Sequence, residues 1–423
     1  GYGPPHAQQH QRARRTCARR SRREALPAMA MLNTGQHMPI LGLGVFAGRE
    51  GEKSVVQRYL TKPLSHGGAM QPLPEPAAWE SEAEAAVVAA IDCGYRSIDT
   101  AYIYGTEPAV GRAIAAKITD GTVRRHELFV TTKLTQAHHS PVLVEAALRR
   151  SLANLGLDYV DLYLVHGPIA YAHDEPLGLW PERADGSRIY DEGTSLLDTW
   201  RGMEGVHSAG LAKAIGISNY SAKQVEELVS AAAVTPAVNQ VECHPFCTQE
   251  PLLQVCRRHG IVLSAYSPLG GNAKGSAMKE QLLGHPLLVR IAQAHGLTVA
   301  QVLLRFQVQR GIVTIAKSFT PARITANFEV VAAEFSEQLS DAEMAQLARL
   351  DMCWRGVPPG TVPASLTTNG APSGLEDDSN VYAKYADHPL YPWPELLGVP
   401  LNMPPPAHVR AASELMMGPP PKL

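Results

Sequence analysis

Short apolar runs alternate with helical patterns along most of this chain. Between residues 82 and 350 the runs read "RSIDT" (96–100), "LFVTTK" (128–133), "YVDLYLVH" (159–166), "AKAIGIS" (212–218), "AVNQVE" (237–242), "IVLSAYS" (261–267) and "IVTIAKS" (312–318). "ILGLGVF" (40–46) precedes them and makes eight. Between them lie stretches whose apolar residues recur at three and four, such as "SPVLVEAALRRSLANLG" (140–156) and "SAKQVEELVSAAA" (221–233), with Ser140 and Ser221 placed to cap their N-termini. Strands apolar on both faces that alternate with helices imply a parallel sheet covered on both sides. Eight such units in about 300 residues predict an α/β fold, a closed (β/α)₈ TIM barrel, with "MLNTGQHMP" before the first strand as an N-terminal hairpin closing its floor. An open doubly wound sheet is the alternative. "GLGVFAG" (42–48) hints at a dinucleotide fingerprint, but its spacing is wrong and no helical pattern follows at once, so its glycines are read as turn glycines.

Three segments depart from this rhythm. Residues 1–30 carry seven arginines, from Arg12 to Arg23, and no acid before Glu24. That composition resembles an organelle transit peptide, which would send the protein to a chloroplast or mitochondrion. The plainer reading is a non-native extension on a cytoplasmic protein. Residues 48–80 are polar and rich in proline and read as an extended surface loop inserted after the first strand. Residues 355–423 have little periodicity and read as a long C-terminal loop and tail lining the substrate pocket. The barrel itself is assigned to residues 31–354.

Composition adds exclusions. A formal net charge of −2 with 18% charged residues gives no global reason to expect nucleic-acid binding. No apolar run approaches the roughly 20 residues of a membrane span. The six cysteines, Cys17, Cys93, Cys243, Cys247, Cys256 and Cys353, are scattered rather than framework-spaced, which fits a reducing compartment.

The strands also share an ending. Asp99, Lys133, His166, Ser218 with Asn219, Gln240 with Glu242, Tyr266 with Ser267 and Lys317 with Ser318 all stand at the same end of their runs. In a barrel those ends form one rim, where catalytic groups sit. Asp99, Lys133 and His166 come from adjacent strands, and Tyr104 follows Asp99 closely enough to lean over the same mouth. A free phenol titrates near ~10 and is a poor acid at neutral pH, but a neighbouring ammonium stabilises its phenolate. Asp99 can hold Lys133 charged, Lys133 can make Tyr104 a proton donor, and His166 can donate a hydrogen bond to an oxygen that gains charge. A strand-end Asp–Lys pair or a lone histidine is more often structural, and it is the joint arrangement that points to a site.

The motifs "GYRSIDTAYIYG" (94–105), "VTTKL", "DLYLVHGP", "GISNYS", "VNQVECHP", "AYSPLG" and "IAKSFTPARITANF" occur in the order found in the aldo-keto reductase family. The chain resembles that family from about Leu32 to Leu350 and again at "DHPLYPW" (387–393). The resemblance implies a TIM barrel that reduces aldehydes or ketones, sugars among them, with NADPH and without a metal, usually as a monomer. It implies a tetrad of Asp99, Tyr104, Lys133 and His166, with Tyr104 the proton donor and His166 orienting the carbonyl. By the same resemblance Ser218, Asn219 and Gln240 bind the nicotinamide carboxamide and Tyr266 stacks on its ring. Ser267 and Leu269 approach the pyrophosphate, and Lys317, Ser318, Thr320, Arg323 and Asn327 hold the adenosine 2′-phosphate end. Some relatives serve instead as NADPH-binding regulatory subunits of membrane channels, which is the alternative function.

Departures from the family pattern concern the substrate pocket. Gly167 stands where a tryptophan usually follows the histidine, Phe46 stands near a usual tryptophan after the first strand, and Ala326 replaces an acid that commonly meets the adenine. The connection after the first strand is longer than usual by roughly twenty-five residues. Cys243, His244, Cys247, Cys256 and His259 offer a zinc alternative, but they lack the paired spacing of strong zinc motifs, and no metal is expected. The adjacent pair His138 and His139 is read as a solvated loop.

Overall fold

The computed structural model describes residues 29–46, 78–173, 179–184, 187–271, 277–331 and 338–352. Residues 1–28, most of the expected insertion (47–77) and the tail from 353 lie outside the described residues. A two-stranded antiparallel hairpin comes first, β1 (Met29–Met31) and β2 (His37–Pro39). Its turn closes through Leu32 N to Gln36 O at 2.8 Å, and Asn33 Nδ2 donates to the Pro236 carbonyl at 3.0 Å, tying the hairpin to the connection before the sixth barrel strand.

Eight parallel strands then close into a barrel: β3 (Leu41–Gly44), β4 (Ser97–Asp99), β5 (Phe129–Leu134), β6 (Val160–Val165), β7 (Ala212–Ser218), β8 (Val238–Glu242), β9 (Val262–Tyr266) and β10 (Val313–Lys317), with β10 pairing back onto β3. Every residue of β5 and β6 is buried, as expected where helices cover the outside and side chains fill the inside. Gly42 and Gly44 are not turn glycines. Both lie within β3, and a methyl group on Gly42 would come within 2.8 Å of the Ile315 side chain and 2.9 Å of Ser97 Oγ. They are small because β3 closes the barrel against side chains of β10 and β4.

The helices are α1 (Ala78–Cys93), α2 (Glu107–Thr119), α3 (Pro141–Leu155), α4 (Leu196–Ser208), α5 (Ala222–Ala231), α6 (Glu250–Arg258), α7 (Ala277–Leu283), α8 (Pro286–Ala294), α9 (Val299–Gln309), α10 (Pro321–Phe328) and α11 (Asp341–Ala348). The start of α1 at Ala78 shows that the last three residues assigned to the insertion are helical. Ser221 caps α5 as the sequence predicts, accepting from Gln224 N. Ser140 does not cap α3, because the Leu143 N–H that its hydroxyl would meet is bonded to the Ser140 carbonyl at 2.9 Å. The main core lies between the strands and helices, and residues such as Leu162, Leu164, Val313 and Ile315 form a second cluster with the hairpin residues Leu32 and Met38. Among the described residues no single helix is long and apolar enough to cross a membrane.

Candidate active site at the carboxyl rim of the barrel

The strand-end residues meet at one mouth. Lys133, on β5, donates through Nζ to Asp99 Oδ1 on β4 at 2.6 Å and to the Thr100 carbonyl at 2.9 Å. Its side chain is only 1% exposed, so the ammonium exists in the interior because oxygens surround it. Burial pushes its pKa down, and Asp99 followed by Glu107 oppose that shift. The second Asp99 oxygen accepts from Gln240 Nε2 at 2.7 Å, which links β4 to β8 across the barrel.

Tyr104 ends a single 3₁₀ turn, Tyr102–Tyr104, just beyond β4. Gly105 follows at φ 66°, the left-handed conformation that glycine adopts without a Cβ clash, and it sends the chain away into α2. The Tyr104 ring lies 5.0 Å from the Lys133 ammonium. Its hydroxyl is 3.3 Å from His166 Nε2, at the end of β6. Phe46 packs edge-on against the same ring, with centroids 5.1 Å apart. His166 is pushed well below the ordinary histidine range, first by burial, then by the Lys133 ammonium and by His139. The ring is therefore neutral near pH 7 and carries one proton. Its Nδ1 is buried without a hydrogen-bond partner, so its polar contact is made through Nε2 toward Tyr104. Gly167 follows it and is buried.

A second group extends the rim. Ser218 Oγ donates to the Gln240 carbonyl at 2.7 Å, and Asn219 Nδ2 donates to the His166 carbonyl at 2.9 Å. Tyr266 OH donates to Asn219 Oδ1 at 2.9 Å. Asn219 and Ser267 have left-handed backbones at φ 63° and 50°, an unfavourable conformation that residues with a Cβ hold mostly where surrounding structure requires it. Leu269 is half-buried against the core beyond Ser267.

The third group follows β10. Lys317 is half-buried with its ammonium 4.5 Å from the Phe319 ring. Its pKa is lowered, first by burial and then by the Lys279 ammonium of α7, with Glu82 opposing. Ser318 Oγ accepts from Thr320 N at 3.1 Å, and α10 begins at Pro321. Arg323 is exposed in the first turn of α10, and Asn327 is buried on the same helix. Tyr95 and Phe328, with ring centroids 5.0 Å apart, anchor α10 against the start of β4.

Other expectations fall differently. His138 and His139 are not solvated; both are buried, and burial brings both down to a pKa of about 3. They are covered by the segment after β6, where Tyr171 N donates to the Gln136 carbonyl and His173 Nδ1 meets the Ala137 carbonyl at 3.2 Å. The zinc alternative has no support in the geometry: His244 bonds Glu242 at 3.0 Å, His259 bonds Glu226 at 2.6 Å, and among the described residues no three ligand-type side chains are grouped to hold a metal. The sequence reading also passed over Thr106, Glu107 and Lys279. Glu107 had a readable signal, an acid at the first position of a helix three residues after Tyr104.

Fold and rim together define an oxidoreductase of the barrel type, with a buried Asp–Lys pair beside a tyrosine and a histidine and a basic segment after the last strand. Residues 64–351 match the model of the Aldo/keto reductase family, and the chain belongs to that family of NADP-dependent carbonyl reductases. It is 41% identical over 367 residues to human "Aldo-keto reductase family 1 member A1", covering 86% of this chain and 97% of that protein. The protein of the same name from Xenopus tropicalis is 38% identical over 365 residues, covering 86% and 96%. Among solved structures it is similar to the Bombyx mori aldo-keto reductase in complex with NADP, with a TM-score of 0.66, 32% identity and coverage of 87% and 99%. It is also similar to the aldose reductase from Schistosoma japonicum, with a TM-score of 0.63, 31% identity and coverage of 77% and 92%.

Proposed function

We propose that this protein reduces small aldehydes and ketones to alcohols with NADPH, using Tyr104 as the proton donor. The observation that carries the reading is the continuous set Asp99–Lys133–Tyr104–His166. A buried ammonium lies against the phenol ring, and the phenol hydroxyl lies beside a neutral imidazole nitrogen. The hydroxyl and Nε2, 3.3 Å apart, form a pair that can receive one carbonyl oxygen between them. As charge develops on that oxygen, His166 donates a hydrogen bond and Tyr104 transfers its proton. Lys133 favours that transfer by stabilising the phenolate left behind, and Asp99 keeps Lys133 charged and fixed.

The residues present fit the cofactor. The Lys317 charge is disfavoured first by burial and then by the Lys279 ammonium, with Glu82 opposing, so an anion bound beside it would be favourable. The N-terminus of α10 adds a partial positive charge beside it. Lys317, Ser318, Thr320, Arg323 and Asn327 would hold the phosphate-bearing adenosine end, and Ser267 and Leu269 the pyrophosphate. Ser218, Asn219, Gln240 and Tyr266 would hold the nicotinamide, which supplies the hydride when bound. The set comes from one chain, which supports a monomer as the working unit.

The substrate pocket combines Phe46, His166 and Gly167, with no large side chain immediately after the histidine. This favours bulky carbonyl compounds over the smallest aldehydes. The test is NADPH consumption, followed at its absorbance, with a panel of aliphatic and aromatic aldehydes, ketones and sugars. Turnover of several aldehydes is expected. NADPH binding without turnover of any of them would replace the reductase reading with the regulatory one.

A further inference from the structure

The turn that carries Tyr104 is held by more than the tetrad. Thr106 Oγ1 donates to the Val45 carbonyl at 2.8 Å and lies 2.8 Å from Thr100 Oγ1, which fixes the turn to β3 and β4. Glu107, the next residue and the first of α2, is 1% exposed. Its Oε1 accepts from Thr132 Oγ1 at 2.7 Å and its Oε2 from Asn154 Nδ2 of α3 at 2.9 Å. Thr132 immediately precedes Lys133 on β5. Glu107 therefore stands three residues from the proposed proton donor and bonds the residue adjoining the lysine that assists it.

A buried carboxylate is costly, and an acid whose only task was to join α2 to α3 could be replaced by a neutral amide. Burial does raise the Glu107 pKa, while the Asn154 and Thr132 donors and the Lys133 ammonium draw it back. These donors suit the ionised form. The charge is felt around it: Glu107 adds to the support that Asp99 gives the charged Lys133, and the pKa values of Tyr102 and Tyr163, raised first by burial, are raised further by Glu107. The groups facing it are thus Lys133 of β5, Tyr163 of β6, Tyr102 of the 3₁₀ turn and the Asn154 and Ser151 side chains of α3. Arg150 of α3 is engaged with the Tyr102 hydroxyl at 3.2 Å.

We propose that Glu107 is a positioning residue for the reductase reaction: through Thr132 it locks the Tyr104 turn onto the strand of Lys133, and it supplies that lysine with a second negative charge from the opposite face of β5. This rests on the reading of Tyr104 as proton donor. Loosening the Glu107–Thr132 bond lets the phenol move relative to the ammonium, and removing the charge leaves Asp99 as the sole carboxylate supporting Lys133.

The experiment compares wild type with Glu107→Gln, Glu107→Asp and Thr132→Val in the full chain. It measures kcat and kcat/KM for one aldehyde against pH, the Kd for NADPH by fluorescence, and Tm. Glu107→Gln is expected to lower kcat by about tenfold and to move the high-pH limb of kcat/KM down by roughly one pH unit, since the Lys133 ammonium loses one of the two carboxylates that keep it charged. NADPH affinity should stay within about twofold, because no residue assigned to the cofactor touches Glu107. Glu107→Asp, which retains the charge, should restore the limb. Thr132→Val, which keeps the carboxylate and removes one bond, should lower kcat with the limb in place. It remains informative if Glu107→Gln does not fold. A folded Glu107→Gln enzyme with an unmoved limb would overturn the proposal, as would wild-type kcat in Thr132→Val. Tyr104→Phe, assayed alongside, separates the two readings: if it is inactive while the Glu107 and Thr132 variants match wild type, only the role of Glu107 fails.

Discussion

At the scale of single residues, the chemistry depends on where one charge is buried. Lys133 has lost its water and kept two oxygen partners, and that places an ammonium beside a phenol inside the molecule. The acid and base types were legible in the sequence because β strands of one barrel end on one rim, so polar residues after apolar runs pointed to the same place. What a one-dimensional pattern could not give was pairing across the barrel. Gln240 bonds Asp99 from 141 positions away, and only closure of the sheet brings them together. Gly167 makes the residue-scale prediction. A side chain added beside His166 is expected to narrow the mouth, so Gly167→Trp should lower the ratio of bulky to small aldehyde turnover by roughly tenfold. An unchanged ratio of kcat/KM values would mean that the position does not face substrate.

At the scale of elements, α10 and the His138–His139 turn illustrate what periodicity reveals and what it conceals. The proline-initiated helix after β10 was readable from "KSFTPAR", because Pro at the first helical position and cations around it are local signals. Arg323 is exposed on that helix and free of the core, so its removal should act on ligand and not on fold. Arg323→Ala is expected to weaken NADPH binding roughly ten- to hundredfold and to leave NADH binding nearly unchanged, as measured by fluorescence titration of both. Equal losses would show that Arg323 does not read the 2′-phosphate. The paired histidines carried no such signal. Their burial is imposed by the segment after β6, through bonds such as that of Tyr171 N to Gln136, and local polarity pointed the wrong way. The glycines of β3 misled for a similar reason, since what limits them is contact with β10 and β4.

At the scale of the whole molecule, buried neutral histidines tie stability to pH. His138 and His139 have a folded pKa of about 3, against an ordinary unfolded value near ~6.5. Between those values the unfolded chain binds protons that the folded chain refuses, so stability is full above about pH 6.5 and falls as pH drops toward 3. His166 adds to the same trend, its pKa being well below the ordinary value. His138 and His139 each contribute about 1.4 kcal/mol of lost stability per pH unit inside that window. Urea unfolding at pH 7, 6 and 5 should show this slope, and His139→Gln should reduce it by the share of one proton. A slope identical in wild type and variant would contradict the burial of His139.

The barrel concentrates one testable event at its mouth, the transfer of a proton from Tyr104 to a carbonyl oxygen. The most direct measurement is the rate of NADPH-dependent aldehyde reduction by Tyr104→Phe, taken together with its NADPH affinity. The hydroxyl is all that is removed, and the ring stays packed against Phe46 and beside Lys133. A loss of ~10² to 10⁴ in kcat with NADPH binding intact is the expected result. Reduction at the wild-type rate would contradict the assignment of Tyr104 as proton donor.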